Sequence, residues 1–169
     1  MDNMRGMTNQ IRPVIENRTR ILSFTTETYS QYKSIENTNI HRFKGKLPKY
    51  CIQEYETLYV LMYKPRFLSE QMIGRCIVAN TTQIKDNETL DFISRLHDIS
   101  KEILIEYPTI IEDMYILPSK RGMGYGKFFT EYVLVDIKKF KVSLKAQDDG
   151  MWFWPKQGFK EVGNEVFIK

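Results

Sequence analysis

The chain has 169 residues, which predicts a single domain over 1–169, and its 42% hydrophobic and 27% charged residues are typical of a globular protein. Its formal net charge of +4 is mildly basic, which suits a phosphate-bearing ligand without requiring nucleic acid. The two cysteines, Cys51 and Cys76, exclude a disulfide scaffold, and the two histidines, His41 and His97, leave little for a metal site.

The apolar runs of the sequence argue against export and against a membrane span. The first twenty residues carry several charged side chains and no apolar stretch of about 7–15 residues, so a signal peptide is not expected. The longest apolar run, Leu58 to Tyr63, has the length of a strand and falls far short of the roughly 20 residues that cross a bilayer. With free thiols, the chain is predicted to be cytoplasmic.

The first third of the chain gives weak signals. Residues 1–10 are polar and rich in methionine, and are interpreted as a loose leader. Residues 11–15 are compatible with a short edge strand, because Pro13 has no N–H to donate to a sheet. Residues 17–35 are predicted as a poorly periodic helix, and residues 37–48 as a loop.

The middle third predicts a hairpin followed by an amphipathic helix. Strands at Thr57–Tyr63 and Met72–Ala79 are rich in β-branched and aromatic residues and are expected to pair antiparallel. Asp86 or Asn87 offers a helix N-cap, and apolar residues then recur at three- and four-residue spacing. That stripe consists of Leu90, Ile93, Leu96, Ile99, Ile103 and Tyr107. The pattern predicts one helix over about 88–107. Its charged residues are expected on a solvated face: Arg95, Asp98, Lys101 and Glu102.

The last third alternates strands and helices, which predicts an α/β protein with a mixed sheet. The expected elements are a strand at Thr109–Leu117, a helix at Lys127–Ile137, a strand at Phe140–Ala146, a short helix at Met151–Gln157 and two strands within Phe159–Ile168. Apolar and polar residues alternate over 140–146, as in a half-exposed strand. Gly163 and Asn164 are predicted at the turn between the last two strands.

The most informative segment is Tyr115–Phe129, in which a strand leads through a glycine-rich turn into a helix. Gly122, Gly124 and Gly126 remove side chains at alternate positions, so backbone N–H groups can approach a ligand closely. The helix N-terminus adds free donors and the positive end of its dipole, which favour a phosphate. Three cations flank the same turn, namely Lys120, Arg121 and Lys127. The segment therefore predicts an anion site.

Two common phosphate-binding motifs do not fit this turn. A P-loop requires Ser or Thr after its Gly-Lys pair, and Gly126-Lys127 is followed by Phe128. The dinucleotide fingerprint has the spacing Gly-x-Gly-x-x-Gly near the start of a βαβ unit, whereas this turn has Gly-x-Gly-x-Gly late in the chain.

The turn does resemble the acyl-CoA loop of the GNAT N-acetyltransferases. Arg121–Gly126, Arg-Gly-Met-Gly-Tyr-Gly, is similar to that superfamily's Arg/Gln-x-x-Gly-x-Gly/Ala signature. Residues 153–160, Phe-Trp-Pro-Lys-Gln-Gly-Phe-Lys, resemble its aromatic-aromatic-x-Lys-x-Gly-Phe segment, at a matching distance. The resemblance covers 109–163, about a third of the chain, and the strand at 111–116 looks most like the branch that acetylates small amines, including polyamines.

The resemblance implies the GNAT fold, a mixed sheet whose strands at about 109–117 and 140–146 splay apart at one end. The extra helix at about 88–107 is expected to shape the acceptor site. Acetyl-CoA is the implied acyl donor, with no metal; its pantetheine arm would lie in the gap and its pyrophosphate on the amides of Gly122–Gly126. The residues implied in cofactor binding are Tyr115, Ile116, Leu117, Arg121, Gly122, Met123, Gly124, Tyr125, Gly126, Lys127, Gln147 and Trp154.

The resemblance also suggests catalytic roles. Glu112 is the candidate that helps to deprotonate the amine, since the family often uses a carboxylate on this strand; in an alternating strand Asp113 would face the opposite side. Many relatives have a tyrosine where this chain has Trp154, and an indole N–H does not act as an acid at neutral pH. Tyr115, Tyr125 or water are the alternatives as proton donors.

Two functions remain open from the sequence. The first is transfer of an acetyl group from acetyl-CoA to an amine by direct attack on the thioester. The second is a GNAT-fold binding protein that keeps the cofactor pocket without transferring acetyl. The acceptor could be a polyamine, an antibiotic, a protein N-terminus, a lysine or the amine of a charged tRNA. A homodimer is left open, and neither a membrane nor nucleic acid is expected as a partner, because the basic run at 138–141 is too short to form a basic face.

Overall fold

A mixed β-sheet with helices on both faces forms the part of the chain that the computed structural model describes, residues 17–43, 52–138, 141–147 and 150–169. The strands are β1 (Thr19–Phe24), β2 (Glu56–Tyr63), β3 (Gln71–Asn80), β4 (Thr109–Ile116), β5 (Val142–Lys145), β6 (Lys160–Gly163) and β7 (Val166–Ile168). The α-helices are α1 (Tyr29–Phe43), α2 (Asn87–His97), α3 (Lys101–Glu106) and α4 (Tyr125–Asp136). Short 3₁₀ turns occupy Thr81–Gln83, Pro118–Lys120 and Trp154–Gln157.

The strands lie in the order β1-β2-β3-β4-β5-β7-β6, and the pair β4–β5 is parallel while the other neighbouring pairs are antiparallel. The register sets Tyr59 opposite Cys76, and Cys76 opposite Met114, so these three side chains lie on one face. Ala79 lies three residues further along β3 and faces the other way, with Ile110 as its partner on β4. The predicted antiparallel hairpin of β2 and β3 is therefore confirmed.

Each face of the sheet is covered by a different set of helices. α4 packs on the face of Tyr59 and Met114: the Tyr59 hydroxyl donates to Asp136 Oδ2 at 2.7 Å, and the Thr130 hydroxyl lies 3.3 Å from Met114 Sδ. α2 and α3 cover the opposite face. Their buried residues form a cluster with the sheet, consisting of Ala79, Ile93, Ile99, Leu104, Ile110 and Val166. Among the described residues, no helix is both long and apolar enough to cross a membrane.

The amino-terminal predictions are partly wrong. Residues 19–24, predicted within a helix, form β1, because pairing with β2 along its whole length outweighs their weak helical periodicity. The loop predicted from residue 37 is helical up to Phe43, since α1 buries Tyr32 and Asn39 on one side and leaves polar residues on the other. The leader at 1–10, the edge strand at 11–15 and the remainder of the predicted loop lie outside the described residues.

The helix predicted over 88–107 is interrupted, and this prediction is wrong in its continuity. α2 begins after the N-cap Asp86, whose carboxylate accepts from the Thr89 N–H at 2.6 Å, and it ends at Asp98, which adopts a left-handed conformation with φ of 51°. Ser100 then caps α3. Leu96 is 61% exposed and so does not belong to the buried stripe, whereas the charged residues expected to face solvent are exposed as predicted.

The carboxy-terminal elements follow the predicted order with two corrections. β5 is not half-exposed as predicted for residues 140–146, because Val142, Ser143 and Leu144 are all buried between β4 and β7. The predicted short helix at 151–157 is only a 3₁₀ turn that begins at Trp154.

The turn between β6 and β7 lies one residue later than predicted. Gly163 pairs with Val166, so the two turn residues are Asn164 and Glu165, with φ of 48° and 61°. Two successive left-handed residues are typical of a type I′ hairpin, in which glycine is preferred at the second position. Glu165 therefore adopts a conformation that costs a residue with a Cβ about 1 kcal/mol.

Replacing Glu165 with glycine should stabilise the protein by about 0.5–1 kcal/mol, because glycine adopts this conformation without the steric penalty. The expected rise in Tm is about 1–4 °C. The matched control is Glu161→Gly on the exposed strand β6, where Glu161 pairs with Phe167; it should lower stability by a similar amount because glycine weakens a strand. Urea unfolding of the three proteins measures both changes; a destabilised Glu165→Gly variant would contradict the assigned turn.

Candidate functional site

The two central parallel strands separate after only two residue pairs. Thr109 pairs with Val142 and Ile110 with Ser143, after which β5 continues along β7 while β4 runs on to Ile116. Beyond Ile110, no other described strand pairs with that edge of β4. This opening between β4 and β5, called the split here, confirms the splayed strands expected for 109–117 and 140–146.

A β-bulge lies at the point where the split opens. Ile111 is opposite Val78 and Asp113 is opposite Ile77, so Glu112 is an extra residue on β4. The bulge removes the strict alternation that would place the two carboxylates on opposite sides. Glu112 and Asp113 both line the same cavity, which corrects the expectation that at most one could do so.

The strand β4 leads directly into the glycine-rich turn. The Leu117 N–H donates to the Ile73 carbonyl at 2.9 Å, so the backbone of Leu117 is directed to β3 and that of Ile116 to the split. Arg121 folds back over this end of the strand: its Nε donates to the Ile116 carbonyl at 3.0 Å, and its guanidinium lies 5.3 Å from the centroid of the Tyr115 ring.

The turn itself exposes backbone donors at the start of α4. Gly122 and Gly124 have φ of 73° and 88°, which side chains rarely allow, and Gly124 is the N-cap of the helix. The Phe128 N–H makes the first helical bond, to the Gly124 carbonyl at 3.0 Å. The preceding N–H groups of residues 125–127 have no acceptor within the helix and can bind an anion together with the helix dipole.

A cavity of about 460 Å³ connects the turn with the split. A Cβ at Gly126 would lie 3.2 Å from Phe153 Cε2, so this glycine permits the close approach of α4 to the 3₁₀ segment. The cavity is lined by Met114, Ile116, Arg121, Gly122, Gly124, Gly126, Lys127, Gly150, Phe153, Trp154 and Gln157. The predicted anion-binding turn and the late aromatic segment therefore meet at one cavity.

A second cavity, of about 410 Å³, adjoins the first one within the split. The two cavities share Met114, Arg121, Gly150 and Trp154. The other lining residues of the second cavity are Arg75, Ile111, Glu112, Asp113, Tyr115, Leu144, Lys145 and Gln147. Of these, Glu112, Tyr115 and Gln147 are site residues expected from the sequence.

Three further residues predicted to bind the cofactor, Met123, Tyr125 and Lys127, lie at the glycine-rich turn and the start of α4. Met123 is half exposed at the turn, and Lys127 is paired loosely with Glu131 at 3.9 Å. Tyr125 is buried with its ring edge-on to Tyr63, and burial raises the pKa of its hydroxyl. Tyr125 lines neither cavity, so Tyr115 is the tyrosine that the structure places at the split.

Trp154 is buried in an aromatic stack rather than projecting into solvent. Its ring contacts Phe153 and Phe159 edge-on, with centroids 5.0 Å and 5.1 Å apart. One side of the indole still lines both cavities. Its packing role and its position at the candidate site therefore coexist.

Three charged residues that the sequence reasoning did not identify lie close to the predicted carboxylate. His97 Nε2 lies 3.0 Å from Glu112 Oε1, and Glu56 is buried beside Glu112. Burial and the neighbouring Glu112 raise the pKa of Glu56 to about 7. Arg75 Nε lies 2.7 Å from Asp113 Oδ2. One sequence signal could have identified two of these residues, namely a charged residue within an otherwise apolar strand. Glu56 stands at the start of β2, and Arg75 lies inside β3.

The structure contains no obvious metal centre within the described part. No group of three or more His, Cys, Asp or Glu side chains there could hold a metal ion. Cys76 is buried as a free thiol, while Cys51 and the side chain of His41 lie outside the described residues.

The chain is similar to known proteins in fold but not in sequence. Neither a known protein family nor a curated protein matches the chain. The structure of the KacTA–DNA complex matches with a TM-score of 0.51 at 10% identity, over 90% of this chain and 92% of that chain. AtaTR bound with AcCoA gives 0.48 at 10% identity over 90% and 93%. An aminoglycoside acetyltransferase from an uncultured soil metagenomic sample, in complex with trehalose, gives 0.49 at 14% over 85% and 89%.

The strand order, the split and the likeness to the structure of the KacTA–DNA complex show the GNAT fold. The fold class predicted from the sequence, a mixed α/β sheet of the GNAT type, is therefore confirmed. At these identities the likeness concerns the fold alone. One of the neighbours is a complex with DNA, so the comparison gives no support to the expectation that nucleic acid is not a partner.

The Arg75–Asp113 pair allows a test of the charges around the split. The Arg75 side chain is 7% exposed and its Nη1 is buried without a hydrogen-bond partner, whereas Asp113 is 36% exposed. Asp113→Ala should therefore cost about 2 kcal/mol, because it leaves a buried guanidinium without its counter-ion. Arg75→Met should cost less, since water can solvate the remaining carboxylate.

Urea unfolding of both single variants and of the double variant Arg75→Met/Asp113→Ala measures this difference. The double variant should be close to Arg75→Met alone, because the unpaired buried charge is then absent. A smaller loss for Asp113→Ala than for Arg75→Met would contradict this account of the pair.

Proposed function

We propose that this protein transfers the acetyl group of acetyl-CoA to an amine by direct attack of the amine on the thioester. The observation that carries the proposal is the split between β4 and β5, which leads without interruption to the glycine-rich turn at the start of α4. A narrow gap with a free strand edge suits an extended arm, and the turn at its end suits a phosphate. The GNAT fold supports the same assignment.

In this proposal the cofactor lies along the first cavity. Its pyrophosphate accepts hydrogen bonds from backbone N–H groups between Gly122 and Lys127, and the side chains of Arg121 and Lys127 add positive charge. Its pantetheine arm follows the edge of β4, where the backbone of Ile116 is directed to the split. Tyr115, Gln147 and Trp154 border this path, as the resemblance implies, and Met123 and Tyr125 complete the turn. Leu117, also implied by the resemblance, lines neither cavity and bonds to β3 instead.

The acceptor amine reaches the thioester through the second cavity, where Glu112 is the proposed proton acceptor. An ammonium ion has no free electron pair, so one proton must leave it before the nitrogen attacks the acetyl carbon. The C–S bond then breaks, the nitrogen loses its second proton, and the CoA thiolate gains one proton from a donor at the site. Overall, the ammonium and acetyl-CoA give the amide, CoA thiol and one released proton. The acceptor is an amine of a small molecule or a protein.

Along the chain, α2 and α3 follow β3 and precede β4. In space they lie next to the second cavity, because His97 at the end of α2 contacts Glu112. This position supports the proposal that the inserted helices shape the acceptor site.

This chain departs from many relatives at the proton donor to the thiolate. Trp154 lines both cavities where many relatives have a tyrosine, and its indole N–H does not act as an acid. Tyr115 lines the second cavity and is the hydroxyl best placed to replace it. The same substitution favours a second candidate function, a GNAT-fold protein that binds CoA without efficient transfer. Release of CoA thiol in the presence of a panel of amines separates the two functions.

The cofactor site predicts that acetyl-CoA stabilises the protein. At a concentration about 100 times its Kd, the stabilisation should be about 2.7 kcal/mol, which raises Tm by roughly 5–10 °C. Gly126→Leu should abolish the shift, because its side chain would enter the space between Phe153 and Ile116. Val135→Leu, on the exposed side of the same helix, is the matched control and should keep the shift.

Thermal unfolding with and without millimolar acetyl-CoA provides the measurement. An unchanged Tm of the natural protein would count against the cofactor site as a whole. A full shift in Gly126→Leu would show instead that the cofactor binds elsewhere.

The assignment of the thiolate donor predicts a difference between two substitutions of Trp154. Tyr and Phe fill the same space between Phe153 and Phe159, but only Tyr brings a hydroxyl to the cavity. Trp154→Tyr should therefore release CoA from acetyl-CoA and an amine about tenfold faster than Trp154→Phe, since a positioned acid typically contributes at least that factor. Equal rates would show that position 154 supplies no proton.

A further inference from the structure

Three elements of the fold bring charged side chains together behind the second cavity. Glu112 lies on the bulge of β4, Glu56 is the first residue of β2, and His97 is the last residue of α2. The Glu112 side chain is 5% exposed and the His97 side chain 16%, and their closest atoms, Oε1 and Nε2, are 3.0 Å apart. Glu56 is equally buried, on the sheet face that α2 and α3 cover.

The two carboxyl groups lie on the same face of the sheet. The cross-strand partner of Glu56 is Ala79, whose own partner on β4 is Ile110, two residues before Glu112. Oε2 of Glu56 accepts from the Gln53 N–H at 2.8 Å, and the neighbouring Glu112 carboxyl interacts with Glu56. Two carboxyl groups share a hydrogen bond only when one of them is protonated. Burial and the negative charge of Glu112 raise the pKa of Glu56 to about 7, from an ordinary value of 4.5. Above that pH the pair is ready to take a proton.

Neighbouring elements bring Tyr55, Ala79 and His97 to the pair. Tyr55 precedes Glu56, and its pKa is raised by burial and then by the charges of Glu56, Glu112 and Asp86. From β3 the cross-strand partner of Glu56 is Ala79, which carries no charge. From the end of α2, His97 contacts Glu112.

We infer that Glu56 receives, through Glu112, the proton that the acceptor ammonium must lose, and that His97 is a positioning residue that holds Glu112 for this transfer. This inference rests on the proposed function and assigns the proton path of the same site. One N–H bond of the ammonium breaks, its electron pair stays on nitrogen, and the proton is held in the hydrogen bond between the two carboxyl groups. It returns to solvent after the amide and CoA have left, so the balance of the reaction is unchanged.

The inserted helices explain why His97 can hold this position. α2 stops directly after His97, where Asp98 turns the chain with its left-handed conformation. The Asp98 carboxylate in turn accepts from Lys145 Nζ at 2.8 Å, which ties this corner to the end of β5. The end of α2 that carries His97 is therefore tied to β5 through Asp98 and to β4 through Glu112.

The decisive variant is Glu56→Gln, which keeps the size and hydrogen bonding of the side chain but cannot take a proton. For the natural protein, kcat/KM for the amine should fall on the acid side of about pH 7, where the pair becomes protonated. In Glu56→Gln this limb should move at least one pH unit lower and kcat at pH 8 should fall at least tenfold, with KM for acetyl-CoA within twofold. The matched control is Glu54→Gln, which changes an exposed carboxylate two residues away and should alter none of these values.

His97 is tested by a separate pair of substitutions. His97→Ala should lower kcat while keeping the acid limb and KM for acetyl-CoA, because Glu112 loses its orientation but the carboxyl pair remains. His97→Gln can still donate a hydrogen bond to Glu112 and should restore most of the lost rate. A shifted acid limb in His97→Ala, or no recovery in His97→Gln, would assign the histidine a different role.

A stability measurement tests the shared proton without any turnover. Since folding raises the pKa of Glu56, the folded protein binds more protons than the unfolded chain between about pH 4.5 and 7, and its stability falls as pH rises through this window. The Tm of Glu56→Gln minus that of the natural protein should therefore increase with pH, whereas the difference for Glu54→Gln should stay flat. A flat difference for Glu56→Gln overturns the inference.

The outcomes also separate this inference from the proposed function. If the natural protein acetylates amines and Glu56→Gln keeps its acid limb, the proton path is wrong and the acetyltransferase assignment stands. If the natural protein transfers no acetyl group to any amine, the proposed function and the catalytic role of Glu56 both fail.

Discussion

The structure depends on one limit in backbone pairing: β4 and β5 share only two residue pairs before they separate. A parallel pair that continued to Ile116 would close the sheet and leave no space at its centre. Because β5 turns its other edge to β7, and β4 its other edge to β3, both strands stay anchored while the edges between them remain open. The free edge of β4 and the cavities around it follow from this limit.

The elements around the split keep it open and give it direction. The bulge at Glu112 lies two residues after the last pair of β4 with β5, and Glu112 and Asp113 both line the same cavity. At the other end, Arg121 binds the last carbonyl of the strand, and α4 starts from a glycine-rich turn whose donors are directed to the cavity. Phe153 and Trp154, which stack edge-on with each other, line the same cavity, and Phe159 packs against Trp154.

Local patterns predicted the parts of this arrangement that depend on neighbouring residues. The hairpin of β2 and β3, the strand β4, the helix α4 and the glycine-rich turn all follow from alternation, periodicity or spacing within a short segment. The strand β1 and the break after His97 did not, because pairing with β2 and a left-handed Asp98 are decided by tertiary contacts. Glu56 lies 41 residues before His97, and His97 lies 15 residues before Glu112. No sequence pattern indicates that side chains so far apart in the chain meet.

The buried charges are the features that packing alone does not explain. A carboxyl such as Glu56 destabilises the folded state above its pKa, and Arg75 keeps an unsatisfied nitrogen in the interior. Apolar residues at both positions would suit the sheet better, since their neighbours on β2 and β3 are apolar and buried. Both residues lie behind the two carboxylates that line the split, Glu56 beside Glu112 and Arg75 bonded to Asp113. Each unfavourable charge therefore lies beside a carboxyl group that lines the cavity, which is the arrangement that the proposed reaction would use.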